Sequence, residues 1–167
     1  TRSRELMKVS PTGGIYELRK AIAEYLKSFR GMLVDANQIV MGAGTEYLYG
    51  MLVQLLGNNR EYCIENPGYK KLVQIYQQHQ IICRYADMDG DGITVEGLRK
   101  SGADIAHISP GHHFPSGITM PAHRRYEVLA WANEKMGAIS LRMIMTVNFV
   151  QMASRCRHFS VWMPVKK

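Results

Sequence analysis

The stretch Ile39-Val40-Met41-Gly42-Ala43-Gly44-Thr45-Glu46-Tyr47-Leu48-Tyr49-Gly50 constrains this chain more than any other. A short apolar run meets two glycines, then Thr-Glu, then apolar residues at helical spacing. That order predicts a strand, a tight turn and a helix N-terminus. Such a turn aims backbone N–H groups and the positive end of a helix dipole at one point. An anion, most often a phosphate, fits there. Gly42 and Gly44 permit close backbone approach, and Thr45 adds a hydroxyl. Taken alone, the pattern also describes an ordinary strand-to-helix connection.

The rest of the chain reads as the same alternation. Ile15, Leu18, Ile22, Leu26 and Phe29 recur at helical spacing and Gly31 stops the helix. The segment 45–56 is apolar almost all round, which predicts a helix buried on most faces. A strand is expected over 61–65, and Asn66-Pro67-Gly68-Tyr69 breaks it. Residues 68–79 predict a helix with Leu72, Val73 and Tyr76 inward. A strand at 81–86, a turn at 87–92, a short helix at 94–101 and a strand at 104–109 follow. A long loop rich in Gly and Pro, 110–121, leads into a helix opened by Pro121. Tyr126, Leu129 and Ala130 are expected inward on it, with its end near Lys135. Strands alternating with helices predict an α/β domain with a mainly parallel sheet. Ligands of such sheets sit at the carboxyl ends of strands. The loops 42–45, 66–69 and 110–120 are expected there together.

Charge and composition narrow the function classes. The formal charge is +7, but Arg142, Arg155, Arg157, Lys166 and Lys167 supply five of it in a tail without acids. A nucleic-acid surface on the α/β part is therefore not indicated. No apolar run reaches a membrane span, and no leader pattern follows Thr1, so a cytoplasmic protein is expected. Cys63, Cys83 and Cys156 are odd in number and lack close spacing, which argues against a disulfide framework. The first residue is not Met, and a fragment is expected.

Asp87-Met88-Asp89-Gly90-Asp91-Gly92 resembles the start of a calcium loop. The twelfth position is Leu98 rather than a bidentate Glu, so a solvated turn is the better reading. His107, His112, His113 and His123 lack a zinc-ligand pattern, and no metal site is expected. A His at a strand mouth reads as a hydrogen-bonding group near a ligand. Tyr69 fits two roles, a packing ring or a flat surface for a planar ligand.

Taken in order, these segments resemble one family. Glu17–Leu26, Gln38–Glu46, Glu65-Asn66-Pro67-Gly68-Tyr69, Ser109–Gly117 and Met120-Pro121 with Arg124-Arg125 are similar to the aminotransferase-like domain of MocR-type regulators of the GntR family. Those proteins fuse a DNA-binding winged helix to a domain similar to class I/II aminotransferases of PLP fold type I. The resemblance covers roughly residues 5–135. It implies a partial three-layer α/β/α large domain over residues 1–136 and the cofactor pyridoxal 5'-phosphate (PLP). It also implies a homodimeric parent that meets DNA through its winged helix. By the same resemblance Gly44, Thr45 and Glu46 match the turn that holds the PLP phosphate. Tyr69 matches the aromatic residue that stacks on the pyridine ring. His112, His113 and Phe114 match the loop beside that ring, where many relatives carry Gln at the position of His113.

The family's Schiff-base Lys, pyridinium-partner acid and carboxylate-binding Arg have no matching positions here. The family's acid-bearing strand reads Ile-Ile-Glu-Asp-Asp-Tyr-Asp-Ser-Glu-Phe, soon after the helix matching 121–135. This chain reads Ile139-Ser140-Leu141-Arg142-Met143-Ile144-Met145-Thr146-Val147-Asn148-Phe149. Methionine has one codon, so Met143-Ile144-Met145-Thr146 is ATG-ATx-ATG-ACx. Read one base earlier, its second and fourth codons become GAT and GAC, both Asp. A one-base slip near residues 135–136 is therefore expected, leaving 137–167 a non-native tail with no clear element; the alternative is a divergent C-terminal segment that folds, with a strand at 143–149.

The expected parent function is a PLP-binding effector domain of a transcriptional regulator. One alternative is a fragment of a free-standing aminotransferase. Another is a non-catalytic α/β module for a phosphorylated ligand. For this polypeptide no transaminase activity and poor stability are expected.

Overall fold

The computed structural model describes residues 9–134, 138–145, 149–153 and 160–164. Helix α1 spans Tyr16–Arg30, and Gly31 closes it in a left-handed conformation. A 3-10 turn at Ala36–Gln38 follows, held by a reciprocal cap between Asp35 and Gln38. It feeds β1, Ile39–Val40, and then α2, Thr45–Leu56. The remaining elements are β2 (Glu61–Asn66), α3 (Lys70–Gln78), β3 (Ile82–Asp89) and β4 (Gly92–Ile93). They continue with α4 (Val95–Ser101), β5 (Ile105–Gly111) and α5 (Ala122–Glu134). Strands β6 (Ile139–Met145), β7 (Phe149–Ala153) and β8 (Ser160–Pro164) follow.

Among the described residues these strands form one sheet in the order β1-β8-β7-β6-β5-β2-β3-β4. Its centre is parallel: β2 pairs with β3 (Ile64 opposite Tyr85) and with β5 (Cys63 opposite Ala106), and β5 pairs with β6 (Ala106 opposite Ser140). Antiparallel pairs join β3 to β4, β6 to β7 and β7 to β8. The sheet is thus mixed, with the expected parallel character in the strands that carry the site.

Two apolar layers flank it, because alternate residues of a strand face opposite sides. Tyr62, Ile64, Ile105 and Leu141 pack with Leu48, Tyr49 and Leu52 of α2 and Leu72, Ile75 and Tyr76 of α3. Cys63, Ala106 and Ile108 pack on the other face with Leu98 of α4 and Val128, Trp131 and Ala132 of α5. This is the three-layer α/β/α arrangement that the resemblance implies.

Several expectations need correction. On α1 only Leu26 is fully buried; Leu18 and Phe29 lie open, as does Ile15 just before it. On α5 the inward residues are Val128, Trp131 and Ala132, whereas Tyr126 is 72% exposed. Its apolar residues are scattered round the helix, so periodicity alone chose the wrong face. Tyr47 and Leu55 of α2 are also exposed. The segment 87–92 is no simple turn: β3 runs on to Asp89 and pairs with β4 as a hairpin. Strands β6, β7 and β8 stand where no clear element was expected.

Candidate functional site

The N-terminus of α2 is shaped by its glycines. Gly44 is the N-cap residue, with φ +108°, and a Cβ built there would meet open space. At Gly42 a Cβ would fall within 2.7 Å of Leu48 Cδ2 and Tyr47 Cδ1, so a larger residue there would have to displace those side chains for the turn to close against the helix. The first intrahelical bond runs from Leu48 N–H to the Gly44 carbonyl at 3.3 Å. The N–H groups at the start of an α-helix have no partner within it, so those of Thr45 and Glu46 form the donor set here. Glu46 points instead toward Lys71 of α3, with Nζ and Oε2 3.4 Å apart. Both side chains are more than half exposed, so this surface pair contributes little to stability.

Tyr69 caps α3 at the end of the turn after β2 and is half-buried. Its ring meets Phe114 edge to face, with centroids 6.0 Å apart and planes at 90°. Phe114 itself is 58% exposed and comes from the loop after β5. The three loops expected together are therefore linked in pairs. The start of α2 meets the start of α3 through Glu46–Lys71, and the turn after β2 meets the loop after β5 through Tyr69–Phe114.

The three residues of that last loop face different surroundings. His112 is exposed, with φ +56°. His113 is buried: its Nδ1 lies 2.7 Å from Ser116 Oγ, and its Nε2 lies 3.4 Å from Glu65 Oε2 without the alignment of a hydrogen bond. Glu65, at the end of β2, accepts the Ser109 N–H on Oε2 at 3.0 Å. Burial pushes its carboxyl up to about 7, with the Ser109 contact pulling the other way. Burial likewise holds the His113 imidazole below its ordinary value. Glu65 was missed as a site residue, although an acid closing the apolar run Tyr62-Cys63-Ile64 was a visible signal.

His107 belongs to the core. It is 1% exposed, its Nδ1 2.6 Å from Tyr76 Oη and its Nε2 3.4 Å from Tyr49 Oη. Burial drives its imidazole down to about 3, so it stays neutral. His123 and the acidic hairpin serve each other: His123 Nε2 is 3.2 Å from Asp91, and Arg124 donates to both carboxylate oxygens of Asp89 and to the Ile93 carbonyl. The Arg124 guanidinium of α5 thus offsets part of this turn's negative charge.

Strand β6 lies beside β5, in the place where the family's acid-bearing strand is expected. Its Ser140 is 1% exposed with Oγ unpartnered. Burial and then the nearby charge of Arg125 lower the Arg142 guanidinium from its ordinary value.

Residues 1–139 match the family model for aminotransferase class I and II. An uncharacterized HTH-type transcriptional regulator, YdeL of Bacillus subtilis, is 30% identical over 81% of this chain and 29% of its own length. The HTH-type pyridoxine biosynthesis transcriptional regulator PdxR of Corynebacterium glutamicum is 31% identical over 74% of this chain and 27% of its own. The chain thus spans under a third of these curated relatives. Among solved structures, an archaeal alanine:glyoxylate aminotransferase superposes with a TM-score of 0.74 at 23% identity. That match covers 85% of this chain and 36% of the other, and at that identity it speaks to the fold alone. With the strand order, the glycine-shaped start of α2 and the joined loops in agreement, the chain belongs to the aminotransferase class I and II family.

Proposed function

We propose that this chain is part of a PLP-binding, aminotransferase-like effector domain of a MocR/GntR-type transcriptional regulator. The observation that carries the reading is the meeting of three loops at one end of the sheet, with the open backbone of Gly44 at a helix start on one side and the Tyr69–Phe114 ring pair on another. The donor set suits the cofactor. The N–H groups of Gly44, Thr45 and Glu46 would hold a phosphate, and the Tyr69 ring offers a flat partner for a pyridine. His112 is exposed on the same loop as Phe114 and would face a ligand's polar edge. When bound, PLP supplies an aldehyde that reacts with amines and an electron-withdrawing ring. The regulator reading draws support from YdeL and PdxR, both HTH-type regulators by name. DNA contact would belong to the parent's winged helix, and dimerisation to the whole parent.

We further propose that residues 1–136 are a partial domain and that 137–167 are the parent's own gene read in a shifted frame. Supporting this, β6 lies beside β5, yet it buries an unpartnered hydroxyl at Ser140. Unsatisfied buried polar groups of this kind are rare in native strands. No transamination by this chain is expected, since no position matches the family's lysine. Equilibrium binding of PLP, followed by its absorbance and by quenching of tyrosine emission, tests the reading. Weak saturable binding that is lost in Gly44→Val and in Tyr69→Ala supports it; amino-group turnover, or binding indifferent to both variants, overturns it.

A further inference from the structure

Glu65 and His113 are each buried, and each keeps a polar atom without a hydrogen bond. Glu65 is 6% exposed and His113 3%. Glu65 Oε1 and His113 Nε2 are the unpartnered atoms, and the second lies 3.4 Å from Glu65 Oε2. His113 also knots its own loop. Its N–H donates to the Ile118 carbonyl at 2.9 Å, its carbonyl accepts from Gly117 N–H at 2.6 Å, and its Nδ1 meets Ser116 Oγ at 2.7 Å. Glu65 is the penultimate residue of β2, four before Tyr69, and His113 immediately precedes Phe114.

We infer that Glu65 and His113 form one positioning pair, a neutral carboxyl–imidazole couple that clamps the loop 112–118 to the end of β2 and so sets Phe114 against Tyr69. The inference concerns the chain's own loops and stands apart from any bound cofactor. A buried ion pair is tolerated where further hydrogen bonds satisfy its remaining lone pairs and protons. Here the Nε2–Oε2 approach of 3.4 Å is not aligned as a hydrogen bond and Oε1 has no partner, so a charged pair would be poorly satisfied. Burial acts on both groups in the same sense, raising the carboxyl and lowering the imidazole. The proton therefore stays on Glu65 while His113 is neutral.

The charged and titratable groups on the surrounding elements leave this balance in place. Cys63 on β2 is itself buried with a raised thiol. Arg125 of α5 is committed to the carbonyls of Met120 and Pro110, at the two ends of the loop. Lys71 of α3 is paired with Glu46 of α2. Tyr69 heads α3, His112 lies on the loop, Asp87 pairs in register with Asn66 on β3, and Arg142 lies opposite Ile108 on β6.

The sign follows from the raised acid. Glu65 keeps its proton in the folded chain from its ordinary 4.5 up to about 7, so the clamp weakens as pH rises through that interval and the carboxyl ionises. NMR on the full, isotopically labelled chain tests this. The Glu65 carboxyl carbon is expected to titrate near 7. The His113 ring nitrogens are expected to keep a neutral pattern from about pH 8 to about pH 5, where free imidazole changes charge. Amide protection at His113 and Gly117 should fall by up to about tenfold per unit as pH rises from 4.5 to about 7, and level off above it. Glu65→Gln, a neutral mimic, should keep that protection at every pH, and His113→Ala should lose it. A doubly protonated His113 beside a carboxylate would overturn the inference, as would loss of protection in Glu65→Gln at every pH. If either variant fails to fold, the two titrations in the unaltered chain decide.

Discussion

Tyr76 carries a hydroxyl on which a buried imidazole depends. It sits 2.6 Å from His107 Nδ1, inside a layer that is otherwise apolar. Tyr76→Phe removes that partner and leaves the ring nitrogen dry. The expected loss is about 1–3 kcal/mol, read as a lowered midpoint in denaturant unfolding. The same imidazole sets an acid limit. His107 is held down to about 3 in the folded chain against an ordinary 6.5. Its stabilising contribution is therefore complete above 6.5 and is lost as pH falls toward 3. A slope of up to ~1.4 kcal/mol per pH unit is expected over that window. His107→Gln should flatten it, and an unchanged slope would point to another group. The histidine's residue type and place in a strand were readable in the sequence. Its role was not, because two tyrosines distant in the chain surround it only after α2 and α3 pack on β5.

At the scale of elements, caps and cross-links decide what stays together. Thr94 accepts the Gly97 N–H at 3.1 Å and starts α4, beside the hairpin that joins β3 to β4. Thr94→Ala is expected to cost about 1 kcal/mol, and thermal unfolding would register it. Arg124 ties the start of α5 to that hairpin through Asp89 and the Ile93 carbonyl. Arg124→Lys cannot keep both carboxylate contacts. Faster hydrogen exchange at Asp91 and Thr94, whose N–H groups bond Asp89 and Asp87, is the expected result. Helix spans came through well in the sequence: α2 is observed at the predicted 45–56, and α3 within 68–79. The inward faces of α1 and α5 did not, since a helix with apolar residues on several sides takes its buried face from the neighbour it meets.

For the whole molecule, the two apolar layers hold the strands β2, β3 and β5 firmly, while α2 leaves Tyr47 and Leu55 open on its far side. An effector domain that continued past residue 136 would have more chain with which to cover them. The nucleotide sequence across codons 131–167 is the direct measurement. Aspartate codons and a later lysine-bearing strand in the neighbouring frame are expected, and an early stop in that frame would make the tail a genuine segment. Restoring the frame should sharpen unfolding into a cooperative transition and raise affinity for PLP.

The sequence by itself determined the alternation of strands and helices, the glycine turn before α2 and the order of loops that meet at one end of the sheet. These depend on local matters: side-chain period, the conformations that glycine and proline allow, and residue types at fixed spacing. Only the tertiary structure decided which histidine lies in the core and which on the loop, and that Glu65 stands beside His113. It also decided that β6 lies against β5 with an unsatisfied Ser140. Burial and pairing across long chain separations depend on how layers pack together, and no local pattern encodes that.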